Sequence, residues 1–390
     1  MATIDSHTLE RFRLERLNVL IVDCDDDLCL KVARGLGSVE GVRIWGTNSK
    51  RPNAWLRVSK HIRSCRPLKA DESFWQETLQ HLVAEHEIDV VVPTKLASMK
   101  KLEELHGDRI GRAAIHPVPS RRAQEVANDK WQLSRFADEI GVRTPKTVLH
   151  SENCDFQEEL RELDGPWIAK PIFGAWGRSI YSFDTLSKLE RFLTHEADPC
   201  IPYEVQEYIH GTDIDCSVLC RDGVIQAYTI QEAEIPNPVA FKPAKVVKFT
   251  HDKEVLRMVS LLMRRLNWDG IAHVDLRRCD ANGSIYLIEI NGRYWGSLLG
   301  SLSAGVNFPF LACVSALGHS FDCPSYRLIR YAGIDQALQR FLPMRSKAGH
   351  SSKVKLKETA WQYTLRDPLP ELFRQLSRVF QTATKTFRHG

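Results

Sequence analysis

Three polar groups able to hold a cation or a phosphate stand within five positions of one another near the middle of an apolar run. Glu289, Asn291 and Arg293 lie in Tyr286-Leu-Ile-Glu-Ile-Asn-Gly-Arg-Tyr-Trp-Gly-Ser297, whose pattern reads as a strand. Successive side chains on a strand point to opposite faces, so Glu289 and Asn291 share a face and can reach one ion. Oxygen ligands beside a guanidinium suit Mg²⁺ bridging phosphates. Taken alone, the segment reads equally as a strand whose polar residues face solvent.

A second carboxylate lies just upstream. Gly270-Ile-Ala-His-Val-Asp275-Leu-Arg reads as another strand, and Asp280-Ala-Asn-Gly283 as the turn between the two. A two-residue Asn282-Gly283 loop would set Asp275 against Ile290 and split the carboxylates between faces. A three-residue loop with Gly283 left-handed, or a five-residue loop, sets Asp275 against Glu289. The odd loop is the expectation, because it puts two carboxylates and an amide on one face. His273, two residues before Asp275, shares that face, as a substrate or phosphate contact or as a structural histidine.

Cations occur further upstream. Pro166-Trp-Ile-Ala-Lys170 is an apolar strand ending in a lysine, followed by a loop with Gly174, Trp176, Gly177, Arg178 and Ser179. Glycines let backbone N–H groups approach phosphate oxygens, and Lys170 supplies a charge to the same group. The spacing fits neither the Walker motif nor the dinucleotide fingerprint. Asn128-Asp129-Lys130 opens a helical pattern that stops at Gly141, and Tyr203-Glu-Val-Gln206-Glu207-Tyr-Ile209-His-Gly211-Thr-Asp213-Ile-Asp215 reads as a strand, a reversal and an acidic pair.

In this order the four blocks resemble the ATP-grasp superfamily, over roughly residues 88 to 317. The resemblance implies an α/β and α+β chain: an N-terminal Rossmann-like domain over 1–125, an ATP-grasp domain over 126–325 with its lid at about 145–205, and a C-terminal extension over 326–390. It also implies a carboxylate activated by ATP as an acyl phosphate and joined to an amine. By it, Lys130 and Lys170 meet the α- and β-phosphates, and the loop with Gly174, Gly177 and Ser179 closes over them. Gln206, Glu207 and Ile209 are the adenine hinge and Asp213 the ribose ligand. Asp275, Glu289 and Asn291 hold Mg²⁺, with Mn²⁺ as an alternative, and Arg293 stabilises the charge of phosphoryl transfer. Asp275 and Asp213 stand where many relatives carry glutamate, and Trp176 is bulky for a lid loop. Lys245 or Lys248 is a candidate for a further triphosphate contact, or a solvated strand lysine.

The elements that must position these groups alternate at the start of the chain. Leu17-Asn-Val-Leu-Ile-Val-Asp23 and Ile88-Asp-Val-Val-Val-Pro-Thr94 read as buried strands, with helical stretches around Asp27 to Leu36 and Phe74 to His86. That alternation predicts a parallel sheet. Asp23 and Thr94, at the strand ends, are candidates for substrate contacts or for structural roles.

The 390 residues are 43% hydrophobic and 26% charged, enough for one or two sizeable cores. The N-terminus lacks the regions of a signal peptide, and the longest apolar stretch, Phe308 to Leu317, is too short to span a bilayer. Ten scattered cysteines without a C-x-x-C pair predict reduced thiols and a cytoplasmic location. Neither a biotinyl carrier domain nor a second nucleotide unit is read, which disfavours carboxylase-like and carbamoyl-phosphate chemistry. Ester- or thioester-forming ligation and an ATP-binding regulatory or scaffold role anchored by the tail stay open. Oligomeric state is not legible, and the charge pattern is not that of a nucleic-acid binder. From Phe341 onward the balance is +7 against +4 for the whole chain, leaving −3 for the rest. There Leu369, Leu372, Phe373, Leu376, Val379 and Phe380 recur at helical spacing among Arg374, Arg378 and Lys385. Such a helix lies on an anionic membrane, docks a partner, or packs its stripe on its own protein.

Overall fold

A computed structural model describes residues 12, 14–48, 55–68, 72–105, 109–150, 157–173, 180–333 and 355–386. The chain divides into two units, Met1–Val118 with Arg293–Gly390, and Pro119–Gly292.

The first unit is built on the expected parallel sheet. Strands β1 (Leu17–Val22), β2 (Val42–Asn48), β3 (Ile62–Pro67), β4 (Val90–Pro93), β5 (Arg109–Ile110) and β6 (Ala113–Ile115) run in the order β3-β2-β1-β4-β6-β5, with only the β5–β6 pair antiparallel. Every residue of β1 and β4 is buried, which is why both read as apolar runs, broken in β1 only by Asn18. Helices α1 (Asp27–Leu36), α2 (Glu72–Glu85) and α3 (Leu96–Glu104) connect them, and Leu20, Val22, Leu79, Leu82 and Val91 share a core. Asp26 caps α1 by accepting from the Cys29 N–H.

Two strand-end residues hold this sheet's loops. Ser98 Oγ donates to Asp23 Oδ1 at 2.7 Å, and Thr94 Oγ1 donates to the Val22 carbonyl at 3.0 Å. Both side chains are buried, so these bonds are structural.

The second unit carries two sheets. Strands β7 (Thr147–His150), β8 (Trp167–Pro171), β9 (Tyr181–Phe183) and β10 (Tyr203–Glu207) form one, in the order β7-β10-β8-β9, all antiparallel. In the other, β15 (Ile285–Asn291), β14 (Gly270–Cys279), β11 (Gly211–Arg221), β12 (Val224–Ile235) and β13 (Val246–Thr250) lie side by side in that order. Helices α4 (Arg121–Asn128), α5 (Lys130–Glu139) and, later in the chain, a helix over Lys253–Leu266 supply apolar residues to a core with Val218, Ile230, Val274 and Ile290. One face of this sheet is therefore apolar, and the other is left for chemistry.

Beyond residue 293 the first unit adds helices at Leu298–Ala304, Phe308–Ala316, Trp361–Arg366 and Leu369–Thr386. Phe308–Ala316 is buried except at Leu311 and Ala316, as its composition predicts. Among the described residues no single helix is long and apolar enough to cross a membrane. Asp367 ties the C-terminal helices down: it accepts from Ser59 Oγ at 2.8 Å, Lys60 N at 2.9 Å and Arg34 Nε at 3.4 Å. Arg34 and Asp367 are both buried, so removing either would leave an uncompensated charge.

A buried histidine makes this unit acid-sensitive. His116 Nδ1 lies 2.7 Å from the Pro117 carbonyl and so carries the proton; Nε2, 3.0 Å from Tyr294 Oη, then accepts from the tyrosine. Burial lowers the imidazole pKa to about 4. The unfolded chain, titrating near the ordinary value, binds more protons between there and about pH 6.5, so this stability is complete above that window and lost as pH falls through it. The expected loss is about 3 kcal/mol. Melting curves of His116→Gln should show a flatter decline between pH 6.5 and 4 than those of the parent; parallel declines would remove His116 as the cause.

Candidate active site

The β14–β15 hairpin sets the site, and it does so differently from the expected loop. Asp275 does stand opposite Glu289, and His273 opposite Asn291. The turn, however, has four residues, Asp280 to Gly283, with the Cys279 N–H on the Ser284 carbonyl at 2.8 Å. Gly283 is left-handed, with φ at 72°. Four residues alone would pair Asp275 with Ile288. A β-bulge between Leu287 and Glu289 absorbs Ile288 and restores the acid–acid pair. The reason is burial: Ile285, Leu287 and Ile290 all belong to the core. On an unbroken strand Ile285 and Leu287 could not share a face with Ile290, and Glu289 would follow Leu287 inward.

Two polar rows cross the open face. Gln231, Asp215, Asp275 and Glu289 are successive cross-strand neighbours on β12, β11, β14 and β15, and Thr229, Ser217, His273 and Asn291 form the next row. Gln231 Nε2 donates to Asp215 Oδ2 at 2.7 Å, and Asn291 Nδ2 to Asp275 Oδ2 at 3.1 Å. His273 Nδ1 is 2.9 Å from Ser217 Oγ, which turns Nε2 to 3.4 Å from Asp275 Oδ1 and 3.8 Å from Asp215 Oδ2. Ligand atoms of Asp215, His273 and Asp275 all lie within 4.8 Å of one another. Burial, helped by the charge of Asp213 and opposed by the Gln231 hydrogen bond, raises the Asp215 carboxyl to about 7. Acid groups crowded in this way favour an added cation, so the donor set fits a divalent metal ion. Of the predicted ligands Asp275 belongs to this cluster and Glu289 does not; Asp215 and His273 are its other members, and their alternation with Asp213 and Asp275 was the available signal.

Lys130 lies within electrostatic reach of Glu289 on this face, and Lys170 within reach of Lys130. The β8–β10 register sets Lys170 against Glu204, and Nζ lies 2.7 Å from Glu204 Oε1 and 3.3 Å from Gln206 Oε1. The Lys170 and Glu204 side chains are 7% and 1% exposed, so the charge is held in place by a buried pair. Glu204 Oε2 is buried with no hydrogen-bond partner among the described residues. Lys130 opens α5, capped by Asp129, and its backbone N–H donates to the Ile172 carbonyl at 3.1 Å. Burial lowers its pKa; the charge of Glu289 opposes that shift, Lys170 adds to it, and Glu204 opposes it. Two cations and two carboxylates therefore share one electrostatic environment.

Residues 127–297 match the family of the ATP-grasp domain. That range contains both lysines and both polar rows. Residues 127–297 are an ATP-grasp domain. The chain is 25% identical over 262 residues to the vancomycin C-type resistance protein VanC2 of Enterococcus casseliflavus, covering 62% of this chain and 72% of that protein. Among solved structures, an L-amino acid ligase from Bacillus licheniformis superposes with a TM-score of 0.57 at 17% identity, over 78% of this chain and 74% of that one. The N5-carboxyaminoimidazole synthetase from Staphylococcus aureus, complexed with ADP, gives 0.63 at 16%, over 81% of each. At such identities the structural likeness speaks for the fold.

Other residues of the ATP-grasp domain are placed as follows. Gln206 turns its side chain toward Lys170 and donates from Nε2 to Thr147 Oγ1 at 3.0 Å. The Glu207 N–H is taken by the Lys146 carbonyl at 3.0 Å, and the Ile209 carbonyl accepts from Arg277 Nη1 at 3.2 Å. Asp213 sits opposite Arg277, which donates to its Oδ1 from Nε at 2.8 Å. Lys248 pairs with Glu232, which pairs with Ile214 of the core face, so it lies on the side away from the carboxylates. The Lys245 N–H donates to the Ile235 carbonyl at 2.8 Å. Gly174, Gly177 and Ser179, with Trp176, lie outside the described residues. Arg293 begins the other unit's second segment, and its Nη1 donates to the Tyr294 carbonyl at 3.1 Å.

Proposed function

We propose that the protein is an ADP-forming ligase that joins a small-molecule carboxylate to an amine. The observation that carries this reading is the charge environment that Lys130 shares with Glu289, Lys170 and Glu204, Glu289 being the end of the Asp215–Asp275–Glu289 row. Lys130 and Lys170 neutralise the α- and β-phosphates of ATP, and Gly174, Gly177 and Ser179 cover them. Gln206, Glu207 and Ile209 border the adenine, and Asp213 the ribose. Asp275, Glu289 and Asn291 would hold Mg²⁺, or Mn²⁺ in its place, which when bound offsets phosphate charge. The substrate carboxylate attacks the γ-phosphorus and ADP departs; Arg293 balances the charge that develops. The amine then attacks the acyl carbon, loses a proton and displaces phosphate. No side chain is needed as a covalent nucleophile. Residues 1–125, 126–325 and 326–390 serve as acceptor-side, nucleotide and C-terminal modules. The nine described cysteines are all free, which supports a cytoplasmic setting.

The test is phosphate release from Mg-ATP in the presence of pooled carboxylates and amines, chiefly amino acids, with products weighed by mass spectrometry. Release that needs both an acid and an amine is the expected result. Release with an acid and a hydroxyl or thiol acceptor, or with bicarbonate, would replace the amine or the acid in this reading. ATP binding without turnover in every pool would overturn it.

A further inference from the structure

The C-terminal helix at Leu369–Thr386 presents its apolar stripe outward. Leu369, Leu372, Phe373 and Leu376 are 49%, 56%, 42% and 55% exposed, and Leu365 just before them is 60% exposed. These positions recur at three- and four-residue spacing, as the core-facing stripe of an ordinary helix would. The inward side carries the buried Pro370 and ionic contacts instead: Arg374 donates to Asp27 Oδ1 of α1 at 3.2 Å and pairs with Glu371 at 2.6 Å. The buried Arg34–Asp367 pair fixes the approach to the helix two residues earlier. The stripe is thus held outward by ionic anchors on the opposite side.

Charge identifies what covers it. After Glu371 the sequence carries Arg374, Arg378, Lys385 and Arg388 and no aspartate or glutamate, while Val379, Phe380 and Phe387 continue the apolar spacing. Two copies pressed stripe to stripe would bring like charges together without a compensating acid. A surface of anionic lipid accepts both halves of the pattern, apolar side chains into the headgroup boundary and cations against phosphates. The helix is too polar to span, so it lies in the interface. We propose that this helix docks the protein on an anionic bilayer surface. The proposal is independent of the nucleotide chemistry.

Flotation of the full chain with vesicles tests it, using phosphatidylcholine alone and an equal mixture with phosphatidylglycerol. The expected result is flotation with the anionic mixture only, weakening as salt is raised. Leu372→Glu with Phe373→Glu should abolish flotation with an unchanged melting curve, because both side chains are already exposed. Arg378→Gln with Lys385→Gln should weaken partitioning about 25-fold, at about fivefold per basic residue. Equal flotation with phosphatidylcholine alone would overturn the charge argument. No flotation, with a dimer in sedimentation that Leu372→Glu and Phe373→Glu break, would assign the stripe to a second copy instead. No flotation from a monomer would reject the proposal.

Discussion

Methionine in place of Lys170 is expected to abolish ATP turnover and also to destabilise the protein. Lys170 and Glu204 form a buried pair, and removing the cation leaves a carboxylate at 1% exposure without its partner. Breaking such a pair costs about 3–5 kcal/mol. Adding Glu204→Gln removes the stranded charge and should restore most of the melting temperature. Turnover should stay at least about a hundredfold down in the double variant, since no side chain replaces the ammonium group at the phosphates. Heat denaturation and phosphate release, measured on both variants, separate the two roles. Native-like turnover in the stable double variant would mean that Lys170 only braces the sheet.

Glu289→Gln keeps the shape of the side chain and deletes its charge. Turnover should fall by about a thousandfold, with the fold intact, because the outward-facing row loses one of its three acids. Binding of Mn²⁺, followed by its electron paramagnetic resonance signal, should weaken in parallel. The substitution also withdraws the charge that supports protonated Lys130, so that ammonium should titrate lower still. Unchanged metal binding and unchanged turnover together would remove Glu289 from the site.

Much of this was legible because strands alternate. His273 with Asp275, and Glu289 with Asn291, fall on one face by counting alone, and the buried runs of β1 and β4 announce a sheet covered on both sides. The turn was misjudged because Ile288 looks like any other apolar strand residue; only the joint demand of Ile285, Leu287 and Ile290 for the core exposes the bulge. The Lys170–Glu204 pair depends on a register between strands more than thirty residues apart, for which no local signal exists. Arg277 against Asp213 is hidden in the same way. The stripe of the C-terminal helix was readable, but its direction was not, because Asp27 and Arg34 that anchor the other side come from the start of the chain.

Ile288 does not decide which acids meet. Without it, a four-residue turn would still set Asp275 against Glu289 along an unbroken ladder, so partner choice is the same either way. What the additional residue contributes is aim. A bulge bends its strand and sharpens the local twist, so the hairpin has two separately directed halves joined at Ile288. The outer half, with the turn at Asp280 to Gly283, is held from its other side by β11, where Gly211 to Ile214 pair with Cys279 to Leu276, so the bend at Ile288 is fixed in the sheet and sets one bearing for Glu289 and Asn291.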